Sequence, residues 1–111
     1  MSSGKKVIHV IATIRTVPGK RAEFIELFSS WLVPKVREEP GCIEYGPAID
    51  VESGISIQDP LRENAVVIIE KWESLEALRV HLSVPHLTEW RTVSAGLSEG
   101  MTLQVLETAR L

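Results

Sequence analysis

The sequence predicts a two-layer α+β domain with an antiparallel sheet, and two observations support this. Some segments show alternating apolar and polar residues, as half-buried strands do. They are separated along the chain by segments whose apolar residues recur at helical spacing. Proline or glycine separates most of these segments. The chain has 111 residues, of which 44% are hydrophobic, which is enough for one core. We therefore predict a disordered tail at residues 1–5 and a single domain at residues 6–111.

The first half of the chain predicts strand, helix, strand and loop. Residues 7–17 are rich in β-branched side chains and predict a strand whose buried face carries Ile8, Val10, Ala12 and Ile14. An amphipathic helix follows, and its apolar positions are Phe24, Leu27, Phe28, Trp31 and Leu32. It should kink or end at Pro34, with room for one further turn before Pro40. Residues 42–51 predict a second strand, with Ile43, Tyr45, Ile49 and Val51 on one side, and residues 52–64 a long loop.

The second half predicts a strand, a helix split by proline, and a last strand. Residues 65–72 are apolar on both faces apart from Glu70 and Lys71, as in a central strand. Ser74 can cap a helix that Pro85 interrupts. The second helical piece has His86, Trp90, Val93 and Leu97 on one stripe, and alternation from Met101 to Val105 predicts the final strand. This order of elements predicts a ferredoxin-like sandwich, βαββαβ.

The sheet face away from the helices should be covered. Val7, Ile11 and either face of residues 65–69 are too apolar for a face exposed to solvent. A second subunit packing sheet against sheet would bury these residues, so the pattern predicts a homodimer.

Composition excludes several classes of function. The 12 basic and 15 acidic residues give a net charge of -3, which does not favour nucleic acid or an anionic membrane as a partner. The single cysteine, Cys42, permits no internal disulfide and no cysteine-rich metal cluster. No stretch is apolar enough for a membrane span and no cleavable leader is evident, so we expect a cytoplasmic protein. An RNA-recognition module is excluded because residues 66–72 lack its aromatic triad.

Several motifs resemble the antibiotic biosynthesis monooxygenase family. They occur in the family's order and are residues 14–20 (IRTVPGK), 39–42 (EPGC), 70–74 (EKWES) and 81–86 (HLSVPH). The resemblance extends from about Val7 to Leu106 and implies a dimeric α/β barrel with a small-molecule cavity between sheet and helices in each subunit. It also implies one of several reactions: cofactor-independent oxidation of quinols or anthrones, haem degradation, or isomerisation of a phosphorylated sugar.

Departures from the family's residue patterns narrow the choice among these reactions. Ala12 and Arg91 stand where haem-degrading members have asparagine and histidine, and His81 stands where they have tryptophan, which argues against haem. Anthrone-type members carry an asparagine four residues before Trp72, and Ile68 occupies that position here. No flavin or nicotinamide fingerprint occurs, so we expect no cofactor.

Histidine is the residue type suited to ionising a phenol in such a cavity. His86 falls in the first turn of its helix, where the helix dipole favours the neutral ring that can accept a proton. It is our predicted base, although a core histidine bonded to a backbone carbonyl is an equal alternative. His81 would assist it or be exposed. A metal site formed by the two histidines is not favoured, because a spacing of five across a proline does not place both rings on one helix face.

Five further residues are candidates for binding substrate or polarising it. Glu70 should lie on one face with Ile68 and Trp72, where it would either serve a pocket or pair with an arginine such as Arg15 across the dimer. Trp72 could stack on an aromatic ligand or pack in the core, and Trp90 shares a stripe with His86. Tyr45 could hold an oxyanion, or it could be a strand residue with its hydroxyl at solvent. Arg91 could hold an oxyanion, or it could be a solvated charge on its helix.

The leading hypothesis is a cofactor-independent monooxygenase that oxidises a hydroquinone-like or polyketide-like aromatic with dioxygen. The proposed catalytic set is His86, His81 and Glu70, and the proposed substrate-binding set is Trp72, Tyr45, Arg91 and Trp90. Two alternatives remain open: a non-oxidative isomerase of a small carbonyl compound, and a non-catalytic dimeric binding protein.

Overall fold

The computed structural model describes residues 6–109, and the predicted tail at residues 1–5 lies outside them. The strands are β1 (Ile8–Thr16), β2 (Cys42–Ala48), β3 (Ala65–Trp72) and β4 (Ser98–Glu107). The helices are α1 (Arg21–Leu27), α2 (Val33–Arg37), α3 (Leu75–His81) and α4 (Pro85–Val93), and a π-helical segment, Phe28–Leu32, joins α1 to α2. No helix within residues 6–109 has the length and apolar character needed to cross a bilayer.

The strands form one antiparallel sheet in the order β2-β3-β1-β4. This is the ferredoxin-like arrangement, and the prediction of fold class is confirmed. Because every neighbouring pair is antiparallel, β1 and β2 run in one direction and β3 and β4 in the other. The end of β2 and the start of β4 therefore lie at the same end of the sheet, on opposite edges.

The helices cover one face of the sheet, and the core lies between them. The predicted apolar face of β1 is confirmed, since Ile8, Val10 and Ala12 are buried. Their Cα partners on β3 are Trp72, Glu70 and Ile68, all of which are also buried. Glu70 thus points toward the helices of its own chain, and the alternative that placed it against a partner subunit is wrong.

The helix predicted to kink or end at Pro34 changes its geometry one turn earlier. The N–H of Val33 donates to the carbonyl of Phe28, five residues back, which is the π-helical pattern. Pro34 then lies in the first turn of α2, where a residue without an N–H costs no intrahelical bond. The chain thereby continues as a helix to Arg37.

The second strand differs from its prediction in length and register. β2 ends at Ala48, so the prediction that it runs to residue 51 is wrong. Between Cys42 and Glu44 the register shifts against β3, which leaves Ile43 as an extra, half-exposed residue while Tyr45 is buried. Alternation alone cannot locate such a bulge, because one inserted residue reverses the side to which the preceding side chains point.

Candidate active site

A cavity of about 590 Å³ lies between the sheet and the helices. It crosses all four strands, from Tyr45 on β2 past Glu70 on β3 and Ala12 on β1 to Leu103 on β4. Its lining is buried at the β2 end, where Tyr45 is 4% exposed, and open at the β4 end, where Met101 is 62% exposed. The cavity therefore has a closed end at β2 and β3 and a mouth along β4.

The closed end of the cavity adjoins a buried carboxylate that binds two histidines. Nδ1 of His81 lies 3.0 Å from Oε1 and 3.1 Å from Oε2 of Glu39. Nε2 of His86 lies 2.6 Å from Oε2 of the same group. Side-chain exposure is 7% for Glu39 and 3% for His81. An ionised carboxylate is stable when buried only if it is paired and hydrogen-bonded, and the two rings satisfy this need.

The turn between α2 and β2 places Glu39 against α3. Its own N–H donates to the carbonyl of Val36, and its carbonyl accepts from Cys42. The carbonyl of Gly41 accepts from the N–H of Glu73, which fixes the turn to the residue after β3. Gly41 has φ +85°, and a Cβ built there would lie 2.6 Å from Cβ of Ala77. Glycine thus permits both the backbone conformation and the close approach to α3.

The break between α3 and α4 brings both histidines to that carboxylate. His81 is the last residue of α3, and Pro85 starts α4 with His86 immediately after it. The N–H of Val84 donates to the carbonyl of His81, which turns the chain sharply between the two helices. Two rings five residues apart can therefore meet one carboxylate, which a continuous helix would not allow.

The hydrogen bonds fix the tautomer of each ring. Because a carboxylate only accepts, the Nδ1 of His81 and the Nε2 of His86 must carry the protons. The Nε2 of His81 is then a lone-pair acceptor, and no residue among 6–109 donates to it. No buried side-chain nitrogen or oxygen in this range lacks a partner, so this Nε2 is accessible at the cavity surface. Burial lowers the pKa of His81, and the nearby His86 lowers it further, against the opposing effect of Glu39.

Glu70 provides a second ionisable group at the closed end. Nε1 of Trp72 donates to its Oε1 at 3.0 Å, and the side chain is otherwise enclosed. Burial raises the pKa of Glu70 from 4.5 to about 7, with a smaller contribution from the charge of Glu39 and an opposing one from the Trp72 hydrogen bond. Near neutral pH the cavity can therefore hold a proton-accepting imidazole and a proton-donating carboxylic acid together.

Aromatic rings form much of the remaining wall. Phe28 stacks on Tyr45 at 5.7 Å between centroids, and Trp90 meets Phe24 and Phe28 edge to face at 5.8 and 5.6 Å. Burial raises the pKa of Tyr45, so its hydroxyl stays protonated and can donate a hydrogen bond. Flat apolar walls beside a few polar groups suit a planar aromatic ligand.

Comparison with known proteins agrees with this fold and cavity. The family model described as "Antibiotic biosynthesis monooxygenase" matches residues 7–93. The chain belongs to the antibiotic biosynthesis monooxygenase family. This confirms the family resemblance found in the sequence motifs.

A curated relative and two solved structures align with nearly the whole chain. It is 35% identical over 103 residues to the Escherichia coli K12 protein named "Probable quinol monooxygenase YgiN", covering 91% of this chain and 97% of that protein. The crystal structure of SO0527 from Shewanella oneidensis matches with a TM-score of 0.75 at 21% identity, covering 95% of this chain and 93% of that one. The crystal structure of PA3566 from Pseudomonas aeruginosa also matches with a TM-score of 0.75, at 20% identity, covering 98% of this chain and 100% of that one. These two structures show the shared fold.

In this antibiotic biosynthesis monooxygenase family member, five of the seven candidate residues line the cavity. They are Glu70, His81, Tyr45, Trp90 and Arg91. The other two lie behind it: His86 contacts Glu39, and Trp72 is fully buried against the ring of His81, with 4.6 Å between centroids. Trp90 is therefore better placed than Trp72 to stack on a ligand, and His81 better placed than His86 to accept a proton.

Glu39 is the residue that sequence reasoning did not select. It follows Glu38 and precedes Pro40 and Gly41, so its pattern is that of a charged, exposed turn. Only its place in the EPGC motif distinguished it. Among residues 6–109 no group of three histidine, cysteine or acidic side chains is arranged to hold a metal ion.

The raised pKa of Glu70 predicts how its charge affects stability. Because the folded state holds this proton more tightly than the unfolded state, its contribution to stability is complete below pH 4.5 and is lost as pH rises to about 7. A shift from 4.5 to about 7 corresponds to roughly 3 kcal/mol. Glu70→Gln removes the titration, so from pH 4.5 to 8 the variant should gain about that much stability relative to wild type. Urea unfolding at both pH values measures this, and an unchanged difference would contradict the prediction.

Proposed function

We propose that this protein is a cofactor-independent monooxygenase that oxidises an aromatic hydroquinone with dioxygen. The observation that carries the proposal is the pair formed by Glu39 and His81, because it leaves an unprotonated imidazole nitrogen in the cavity that Glu70, whose pKa is raised to about 7, also lines. The likeness to a protein named as a quinol monooxygenase gives independent support. The proposed base is His81, with His86 and Glu39 positioning it.

The first step is proton transfer from a substrate hydroxyl to Nε2 of His81. The resulting imidazolium would be paired with the Glu39 carboxylate through Nδ1, which stabilises charge as it develops. His86 holds the same carboxylate from the other side at 2.6 Å, so Glu39 stays directed at the His81 ring. The lowered pKa of His81 keeps the ring neutral before substrate binds.

The second step joins the quinolate to oxygen. The anion gives one electron to dioxygen, and the radical pair recombines to form a carbon–oxygen bond and a peroxide anion. Glu70 or the imidazolium protonates this peroxide. Removal of the C–H proton at that carbon then breaks the O–O bond, so one oxygen atom stays in the product as a carbonyl and the other leaves as water. A naphthohydroquinone plus O₂ thus gives a hydroxynaphthoquinone plus H₂O, without an external electron donor.

The remaining cavity residues suit binding of the aromatic substrate. Trp90, Phe24 and Phe28 offer ring faces and edges to a planar substrate, and the phenol of Tyr45 can donate to its oxygen. Arg91 lines the cavity and forms no ion pair within residues 6–109, so it can attract the quinolate anion.

The proposed enzyme acts as a homodimer with the open sheet faces packed together. This face carries Ile11 and Val67, which are half-buried, and Ile69 and Leu106, which are 39% and 49% exposed. A partner sheet would remove this apolar surface from water.

Oxygen-isotope labelling tests the proposed reaction. The purified protein is incubated with 1,4-naphthohydroquinone or anthrone under ¹⁸O₂, and spontaneous autoxidation is subtracted using protein-free samples. We expect enzyme-dependent oxygen uptake and one ¹⁸O atom per product molecule by mass spectrometry.

Two other outcomes would contradict the proposal. Uptake with all label recovered as hydrogen peroxide would indicate an oxidase instead of a monooxygenase. No uptake across a panel of hydroquinones, despite binding detected by tryptophan fluorescence, would favour the isomerase or binding alternatives. The isomerase has a specific observation in its favour, because His81 and Glu70 also provide a base and an acid for proton transfer without oxygen.

A further inference from the structure

The connection between β2 and β3, residues 49–64, projects from the sheet as an ordered arm. We call these residues the arm. Asp50 and Arg62 join its two ends through side-chain hydrogen bonds of 2.8 and 2.9 Å. Near its tip, Nε2 of Gln58 donates to the carbonyl of Val51 at 2.8 Å, and the hydroxyl of Ser53 contacts Gln58. The arm thus holds its shape through its own hydrogen bonds, although it contains no helix or strand.

The arm exposes an unusual amount of apolar surface. Ile57 is 89% exposed, Val51 70% and Ile55 63%, and Leu61 is about half exposed. A loop stabilised mainly by polar contacts has no need of four aliphatic side chains directed to water. Several exposed aliphatic side chains within one short segment indicate an interaction site.

The cavity lacks a wall at its β4 end. Met101 and Leu103 line it, yet they are 62% and 42% exposed, and the next residue on the same face, Val105, is 45% exposed. β4 is an edge strand, and among residues 6–109 its extensive contacts are with β1 and not with a helix. A reaction that needs a dry cavity requires a cover here.

In a dimer of facing sheets, the direction of the two-fold axis sets what lies near this mouth. In a two-fold arrangement of facing sheets with the axis parallel to the strands, the β2 edge of one copy lies beside the β4 edge of the other. The axis preserves strand direction, so the end of β2 in one copy lies beside the start of β4 in its partner. β2 and β4 then run antiparallel, so their free edges could also pair. The arm leaves β2 at that end, where Ser98, Gly100 and Met101 form the cavity rim.

We propose that the arm of one subunit covers the β4 side of the cavity in the second subunit. Each active site would then be completed by its partner, with Ile55 and Ile57 packed near Met101 and Leu103. This inference rests on the dimer included in the proposed function, but it does not depend on the chemistry of the substrate.

Interface area supports a contribution from the arm. Four strands about 4.8 Å apart and about eight residues long, at about 3.3 Å per residue, give the open sheet face a projected area of roughly 500 Å². A stable interface buries about 800 Å² on each partner. Side-chain relief makes the accessible area of this face larger than its projected area, and the arm adds neighbouring apolar surface to it.

Charge complementarity supports the same contact. Within the arm, Arg62 pairs with Asp50, which leaves Glu52, Asp59 and Glu63 without an ion pair among residues 6–109. Arg91 at the cavity is likewise without an ion pair in this range. Attraction between the acidic arm and Arg91 is favourable at long range and helps to select this orientation.

Cross-linking between two differently tagged chains tests the proposal. Both chains carry Cys42→Ala; one also carries Ile57→Cys and the other Leu103→Cys. The chains are co-expressed and treated with a short bis-maleimide. We expect a product that contains one chain of each tag. Val80→Cys replaces Ile57→Cys in the control, since Val80 is a half-exposed aliphatic residue on α3, outside both the arm and the open face.

A second measurement uses the strength of association. Ile55→Asp with Ile57→Asp should raise the dimer dissociation constant in analytical ultracentrifugation by about ten-fold or more, because two apolar contacts are lost. Val80→Asp should leave it unchanged.

Each contrary result has a distinct meaning. A monomeric wild-type protein, or an unchanged dissociation constant in the arm variant, would overturn the proposal. A dimer that gives no Ile57–Leu103 cross-link would overturn the role of the arm while retaining the dimer. An internal cross-link in a single chain that carries both cysteines, without the mixed product, would make the arm a lid on its own subunit. None of these readouts involves oxygen or quinol turnover, so failure of the proposed reaction is detected separately.

Discussion

His81→Ala is expected to lower kcat for hydroquinone oxidation by roughly 10²- to 10⁴-fold, because it removes the proposed base. His81 is the histidine that lines the cavity, and its Nδ1 is held by Glu39. Initial rates of oxygen uptake above autoxidation measure the effect. Since His81 is buried, circular dichroism of the variant and a second variant, His81→Gln, separate loss of the base from loss of folding.

Variants of the two residues behind His81 provide the matched comparison. His86→Ala and Glu39→Gln keep the His81 ring but weaken its orientation, so we expect smaller losses of kcat with little change in KM. The pH profile should also shift, because both groups affect the pKa of His81. If His86→Ala were as inactive as His81→Ala while His81→Gln retained activity, His86 would replace His81 as the proposed base.

Trp72→Ala is expected to lower the free energy of unfolding by about 3–5 kcal/mol. Trp72 is fully buried at the end of β3, where it packs against the ring of His81 and donates to Glu70. Urea unfolding measures this change.

Trp72→Phe separates the packing of the indole from its hydrogen bond. Phenylalanine keeps much of the volume but cannot donate to Glu70, so the loss of stability should be smaller and the pKa of Glu70 should rise further. A Trp72→Ala loss below about 1 kcal/mol would contradict the assignment of Trp72 to the core.

The fold could be predicted from the sequence because each element has a clear local pattern. The alternation in β1 and the continuous apolar run of β3 gave these strands to within about a residue. Ser74 caps α3 as predicted, its side chain accepting from the N–H of Ala77 at 3.1 Å. The bulge at Ile43 could not be predicted, since nothing in the order of residues distinguishes an extra residue from a paired one.

The candidate site was predictable only in part, for a physical reason. For residues on strands, such as Glu70 and Tyr45, the alternation of apolar and polar residues indicates on which side of the sheet the side chain lies. Glu39 lies in a turn, which has no periodicity, and it approaches His81 only because Gly41 lets the backbone pass close to Ala77. A contact between residues 39 and 81 depends on tertiary packing, so a local sequence pattern does not indicate it.

The π-helical segment Phe28–Leu32 sets the orientation of α2 relative to α1, because a π-helical turn accommodates one residue more than an α-helical turn. Each residue of an α-helix advances the chain by about 100° around the axis, so losing one residue from α2, where no π-helical turn can absorb the change, would rotate the turn after it by about that angle. Val36 would then turn away from the core, and the turn that carries Glu39 would leave the two histidines. Substitutions at the exposed Ser29 and Ser30 do not change the number of residues, so they keep the orientation of α2 relative to α1. In this helix, the number of residues matters more to the site than the identity of most of them.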